Sequence, residues 1–380
     1  MKTIILLLTV CLFANNANAQ KSKEYYSLLL KADDMIIENK LDSALHYYDI
    51  ALEKFNYPFY VHVKRAAIIA NYSEDKVLLE KFLTKCVQKG MPRYQLEYFL
   101  NRKLNLDIVN KIQRDYSSYY DQYLAGIDIT IVFKYLDLDA RDYFLHDYLY
   151  MYSKNYEKDA FYAKFQDHAV KEYLQLIDEV GYPSEENVGL PKITEYELAK
   201  NKKLKADKWT VHKSKKQIEL IDGKSDYYIA YQKNPDYLFY CDIPGNWLLW
   251  HYASFKDKDS TLLRYLEKGF DDLKLSPVYI TEFFESSFDI QYDYCTSYNS
   301  YLFRTKYRSV AGIYTKSTAE ERKHINSLRA QYFIPAIEKE EQLIKALYEL
   351  KYDKEPKDIS KKVIKKIGFE YGAFISFYNL

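Results

Sequence analysis

From Lys23 to about Gly90, apolar side chains return every three to four residues, the period of helices with one face turned inward. The stretch divides into two helix-turn-helix units. In the first, Asn39-Lys40-Leu41-Asp42 makes the turn, Asp42 or Ser43 is placed to cap the second helix, and Pro58 marks its end. The second unit runs from Phe59 to Gly90. The helical pattern continues from Met91 to Tyr152, where Tyr116, Tyr119, Tyr120 and Tyr123 fall at i, i+3, i+4 and i+7 on one face. Lys158 to Val180 reads as an amphipathic helix closed by Gly181-Tyr182-Pro183, in which glycine can take the left-handed cap conformation and proline stops further winding. Helices are predicted again near Gly245, over Thr261 to Phe270, Val278 to Glu285 and Thr318 to Gln331, and, past Pro335, over Glu338 to Leu350. One segment departs from the helical period: Ile218-Glu219-Leu220-Ile221 and Tyr227-Tyr228-Ile229-Ala230 flank Asp222-Gly223 as a β-hairpin insert near 208–232.

In the first unit Ala32, Ala44, Tyr48 and Ala51 stand where two helices of a repeat need small, small, aromatic and small residues to approach closely. This spacing resembles a tetratricopeptide repeat. The second unit keeps Ala66 but carries Leu78 and Lys85 at positions that favour small residues, so it is a degenerate repeat, and the resemblance covers about a fifth of the chain. Two such units leave an apolar face, which the following helices should cover. The expected fold is mainly α: a tetratricopeptide-like region over 20–136, a helical domain over 137–352 with the hairpin insert, and a carboxy-terminal tail over 353–380.

Within the second region, Glu179-Val-Gly181-Tyr-Pro183-Ser-Glu-Glu-Asn-Val188-Gly189, Trp250-His251-Tyr-Ala253 and Ile325-Asn326-Ser-Leu-Arg329-Ala330 follow one another. Their order resembles a bacterial domain family of unknown function, in which a glycine-aromatic-proline turn, a histidine-alanine pair and an asparagine-x-x-arginine element recur over a stretch corresponding to Asp139 to Leu350. The resemblance implies no activity. Cys295-Thr296-Ser297-Tyr298 departs from the glycine-threonine-glutamine element expected there, and the lysine-rich hairpin looks like an insertion.

The amino terminus adds an address. Lys2, the apolar run Ile4 to Ala14 and Ala17-Asn18-Ala19 before Gln20 have the layout of a secretory signal peptide over 1–19, so export is expected, with the periplasm favoured over secretion. Cys11 follows Val10, which is larger than the small residue that precedes a lipid-anchored cysteine. No later stretch has the unbroken apolar length of a membrane helix. Removing Lys2 leaves 54 basic side chains against 54 acidic ones, which gives no global field for nucleic acid. Gly (10) and Pro (9) are few while Tyr (42) and Phe (20) are many, in keeping with long helices. Cys86, Cys241 and Cys295 remain, an odd number; Cys241 can pair with Cys295, or all three are small buried apolar residues.

For catalysis the candidates are Asp167, His168, His251, Asn326 and Arg329. An imidazole beside a carboxylate is a general acid or base, and a guanidinium can clamp a carboxylate or phosphate in two-point fashion. The opposing reading makes His251 a hydrogen-bonded core residue and Arg329 an ion-pair partner. The seven histidines show no ligand spacing on one helix face and no Cys-x-x-Cys occurs, so no metal and no cofactor is expected. Gly223-Lys224-Ser225 lacks the glycine that a phosphate loop needs at Ile218, and Lys200 to Lys216 reads as a solvated loop or as a contact for an acidic partner or anionic lipid. Tyr116, Tyr119, Tyr120 and Tyr123 are either packing or a stacking surface for a sugar or proline-rich peptide. The leading expectation is an exported scaffold that presents a surface to a protein or peptide. The alternative is a hydrolase-like enzyme using His251 with an acidic partner, and a structural component of an envelope assembly stands third.

Overall fold

Ala32, Ala44, Ala51 and Ala66 are wholly buried, and they set how closely the first helices can approach. A computed structural model describes residues 21–55, 58–91, 93–100, 105–128, 130–131, 134–135, 138, 157–189, 260–275 and 319–352. Helix α1 spans 21–37, α2 Leu41–Lys54, α3 Tyr60–Ser73, α4 Lys76–Gln88, α5 Arg93–Leu100, α6 Leu106–Arg114 and α7 Tyr116–Gly126. They are followed by α8 (Glu157–Val180), α9 (Ser260–Asp271), α10 (Ala319–Gln331) and α11 (Ile337–Tyr352). The described residues are mainly helical and contain no strand. None of their helices is long and apolar enough to cross a membrane. The leader over 1–19, the hairpin near 208–232, Val278 to Glu285 and the tail over 353–380 lie outside the described residues.

Helix α3 lies between α2 and α4, α4 also carries α6 and α7, and α5 packs on α6. Every residue of α3 from Val63 to Asn71 is buried, so this helix is covered all round. One apolar core joins it to Leu262, Leu266 and Phe270 of α9 and to Leu343, Ile344 and Leu347 of α11, so the two regions expected from sequence share their interior.

Several turns are closed by backbone hydrogen bonds with a left-handed residue at the helix end. After α1, Lys40 N–H reaches Met35 O (2.8 Å) and Asn39 N–H reaches Ile36 O (3.0 Å), with Asn39 at φ 56°. This tight exit over residues 38–40 leads into α2, which starts at Leu41 with no side-chain cap. The capping role expected of Asp42 or Ser43 is therefore not realised; Asp42 sits inside the first turn, where its charge favours the amino-terminal helix dipole. The same paired bonds close α4 at Gly90 (φ 96°), α9 at Leu273 (φ 56°) and α10 at Phe333 (φ 56°). The left-handed conformation costs a bulky L-residue such as phenylalanine about 1–2 kcal/mol.

Gly181 (φ 84°) closes α8 through its N–H to Ile177 O at 2.9 Å, in the predicted manner. The loop that follows holds itself by Asn187: Ser184 N–H donates to Asn187 Oδ1 (2.8 Å) and Asn187 Nδ2 donates to Tyr182 O (2.8 Å). Its outward groups tie distant helices together. Tyr135 hydroxyl donates to Gly181 O (2.6 Å), Tyr182 hydroxyl to Tyr265 O (2.5 Å), Asp128 N–H to Asn187 O (2.9 Å), and Lys274 pairs with Glu186. Tyr60 N–H at the start of α3 donates to Glu185 Oε2 at 2.7 Å, so this loop also caps the central helix.

Tyr123 is wedged between two glycines. A Cβ on Gly90 would lie 2.6 Å from its ring, and one on Gly189 would lie 2.4 Å from its hydroxyl. Gly90→Ala combines a positive φ with this clash, and is expected to lower stability by about 2–4 kcal/mol. Gly126→Ala, with nothing within 4 Å, is expected to be neutral or slightly stabilising. Urea denaturation of the two variants beside the wild type measures the contrast.

Candidate functional site

A helix buried on every side has no place for a lone charge, yet α3 carries Lys64 and Arg65 in its buried run. Arg65 Nη1 pairs with Asp33 Oδ1 of α1 at 2.6 Å, and Tyr48 hydroxyl of α2 donates to the same oxygen at 3.2 Å. Burial pulls the guanidinium toward the neutral form, and Asp33 and Tyr48 more than offset it, so Arg65 stays charged. Beside this pair stands a second: Arg329 of α10 bonds Glu340 of α11, both about 2% exposed, and Arg329 Nε donates to Pro335 O at 2.5 Å. Two arginines and two acids thus meet where α1, α3, α10 and α11 converge. Burial raises the Glu340 carboxyl to about 7 against the pull of Arg329 and Arg65, with Asp33 pushing the same way as burial.

Next to the charges lies a set of rings. Tyr26 is stacked with Phe270 (5.3 Å, 15°), Phe333 (6.1 Å, 13°) and Phe59 (6.5 Å, 24°), and its buried hydroxyl has no hydrogen-bond partner among the described residues. Tyr25 hydroxyl accepts from Phe59 N–H (3.2 Å) and shares a 2.8 Å hydrogen bond with His62 Nδ1. Burial, helped by Arg65, lowers His62 to about 3, so its imidazole is neutral across the ordinary pH range. Cys86 is buried with its thiol pushed well up by desolvation, which suppresses the nucleophilic thiolate.

The tyrosine stripe of α7 divides into a buried end and a more open one. Tyr123 is the buried anchor described above, while Tyr116, Tyr119 and Tyr120 are partly buried against the core. Tyr116 and Tyr120 stack at 5.2 Å and 17°, Tyr116 hydroxyl donates to Met91 O (2.8 Å), and the Arg93 guanidinium lies 5.7 Å from the Tyr116 ring. Arg93 is exposed and donates to Gln113 O at 3.2 Å. Leu124, further along the helix, is 40% exposed. Two partly open rings beside an exposed cation offer π-faces, a donor fork and an apolar contact.

The candidate catalytic residues have these places. Asp167 is partly buried and His168 exposed on α8, and His251 lies outside the described residues. Asn326 Oδ1 accepts from Ile337 N–H (2.8 Å) and its Nδ2 donates to Glu338 Oε2 (2.8 Å), which ties α10 to the first turn of α11. Arg329 has its guanidinium engaged by Glu340 and Pro335 within the core. Asn326 and Arg329 thus serve one hairpin. Among the described residues no three His, Cys, Asp or Glu groups gather to hold a metal ion.

No sequence motif singles out Asp33, Arg65, Glu185 or Glu340. A signal existed for two of them. Glu340 keeps register with Ile337, Ile344 and Leu347, and Asp33 with Leu29 and Ile36, so each acid occupies a core position of its helix. No protein-family model, no curated protein and no solved structure matches this chain.

Removing one partner of a buried pair strands the other charge. Asp33→Ala is expected to cost about 3–5 kcal/mol, whereas Asp33→Leu combined with Arg65→Met costs clearly less, which chemical denaturation of both variants checks. Glu340 adds a pH dependence. Its folded-state value of about 7 lies above the ordinary 4.5, so between them the folded chain keeps a proton that the unfolded chain has lost. This contribution is full below about 4.5 and is lost as pH rises through about 7. Stability measured at pH 5 and pH 8 should therefore fall less in Glu340→Gln than in the wild type, by a difference on the order of 1–3 kcal/mol.

Proposed function

We propose that this protein is an exported helical-repeat scaffold that binds a protein or peptide through the open end of its first helices, at Tyr116 and Tyr120 with Arg93. The repeat reading is supported by a periodic set of bonds between non-adjacent helices. Arg65 meets Asp33, Lys81 meets Asp49 and Lys85 meets Glu53, each across 32 residues. Asn105 meets Asn71 across 34, Lys111 meets Glu80 across 31, and Gln88 meets Gln122 across 34. A recurring step of this size is what stacked helix pairs of tetratricopeptide length produce. On this reading α1 with α2 and α3 with α4 are successive pairs, and α6 with α7 is the last, reached through α5.

The carrying observation is the Tyr116–Tyr120 stack, which stays partly open at the last pair and has an exposed guanidinium beside it. Stacked rings take up a proline or aromatic side chain with little loss of rotamer freedom, and the exposed arginine favours a neighbouring carboxylate or carbonyl. Export rests on residues 1–19, whose charged start, apolar run and Ala17-Asn18-Ala19 site have the layout of a cleaved leader.

The test is affinity capture from the envelope fraction by the mature chain, read by mass spectrometry, followed by direct binding of the captured protein. Tyr120→Ala and Arg93→Glu, with unchanged melting temperature, are expected to weaken that binding at least tenfold. Binding unaffected by either variant would refute this surface, and an amino terminus retained at Met1 in the cytoplasm would refute export.

A further inference from the structure

Helix α1 is wound from the first described position, Lys21, and it enters the core at once. Ser22 and Tyr25 are wholly buried and Tyr26 is 3% exposed, while Lys21 between them and the leader is exposed. The Ser22 hydroxyl donates to the carboxylate of Asp271, the last residue of α9, and Lys23 faces the same acid. Tyr26 stacks on Phe270 of that helix at 5.3 Å. The opening turn of α1 is therefore tied down against α9, unlike the frayed ends at which most domains begin.

Cleavage after Ala17-Asn18-Ala19 makes Gln20 the first residue and leaves it directly before this anchored helix. A frayed tail carries the new α-ammonium away from the structure, but a single residue leaves no tail. The charge would stand at the amino-terminal end of α1, where the helix dipole and the unpaired N–H groups disfavour a cation. Asp271 is already engaged by Ser22 and Lys23. A glutamine in first place has its own means of removing that charge. Its α-nitrogen bonds to the side-chain Cδ and closes a five-membered lactam, while the bond from Cδ to the side-chain nitrogen breaks. The α-nitrogen keeps one proton and the departing nitrogen takes the others as an ammonium ion. Atoms and charge balance with no oxidant, reductant or second substrate.

We propose that Gln20 is a modification site, at which the mature chain closes its terminus as pyroglutamate and leads into α1 with an uncharged lactam. The lactam has no primary amine, so aminopeptidases cannot begin on a helix whose Tyr25 and Tyr26 belong to the core. This proposal rests on the export reading, because only the cut exposes Gln20. It does not depend on the Tyr116–Tyr120 surface.

The test is the chemistry of the terminus itself. The protein is purified from the cells that export it, its primary amines are dimethylated at neutral pH before digestion, and the amino-terminal peptide is sequenced by tandem mass spectrometry. The peptide is expected to begin at residue 20, to carry no dimethyl group on its α-nitrogen and to be lighter by one ammonia than its sequence requires. A dimethylated Gln20, or a start at any other residue beyond the leader's apolar run, overturns the proposal and leaves export standing. A start at Met1 refutes export and the proposal together. Gln20→Ala keeps a small residue at the cut and presents a free amine. Because the helix end disfavours that ammonium, its penalty is present at low pH and is lost as the amine deprotonates, ordinarily near 7.7–8.0. The variant is expected to melt about 1–3 °C below wild type near pH 6 and level with it near pH 9.5. Equal melting at both pH values overturns the part assigned to the lactam at the start of α1.

Discussion

The architecture turns on the burial of Arg65. A guanidinium at the centre of an all-round buried helix must find its counter-charge inside the protein, and no residue of α3 itself supplies one. Asp33 supplies it from α1, Tyr48 steadies Asp33 from α2, and the second pair, Arg329 with Glu340, closes the cluster from α10 and α11. The requirement thus fixes which helices surround α3 and their register. A shift of one turn in α11 would carry Glu340 about 5 Å away and leave a buried arginine unmatched. Apolar contact alone could not choose so narrowly, because Leu, Ile and Tyr side chains tolerate several registers.

Helix ends impose a second constraint of the same kind. The first N–H groups of α3 have no side-chain cap of their own, so they are satisfied from afar, Tyr60 N–H by Glu185 and Phe59 N–H by Tyr25. Glu185 arrives on the loop after α8, and the same loop covers Tyr123 through Gly189 and holds α9 through Tyr182. An anion at the start of a helix is favoured by its dipole, so the contact that closes the loop also strengthens α3. Burial raises the Glu185 carboxyl, countered by Lys89 and the Tyr60 N–H.

Periodicity made the helices legible, since their bounds depend on spacing that any amphipathic helix must keep. Lys158 to Val180, Thr261 to Phe270 and Thr318 to Gln331 were readable to within a residue of α8, α9 and α10. The small residues were readable for the same reason, because close approach leaves room for nothing larger than Ala32, Ala44, Ala51 and Ala66. The ion pairs were not. Arg329 looks the same in sequence whether it meets a substrate carboxylate or Glu340, and the choice depends on a neighbour eleven residues away brought back by a turn. The tyrosine stripe was visible as a stripe, but its division into a buried Tyr123 and a more open Tyr116 and Tyr120 depends on Gly90 and Gly189, which lie on other elements.

The asparagine-x-x-arginine element has a constructional explanation that bears on where activity should be sought. A spacing of three puts both side chains on one face of α10, one turn apart, directed across the Pro335 turn. From there Asn326 receives the first N–H of α11 and holds Glu338, while Arg329 binds the turn carbonyl and Glu340. Both residues would be needed by any helical hairpin of this shape, whatever the chain does. The glycine-tyrosine-proline loop is equally explained, since its glycine closes α8 and its tyrosine and glutamates tie α9, α3 and Lys274 together. Those described residues are thus engaged in holding helices together. Arg93, by contrast, is exposed, and the Tyr116 and Tyr120 rings of α7 stay partly open, so the fold uses that surface less completely.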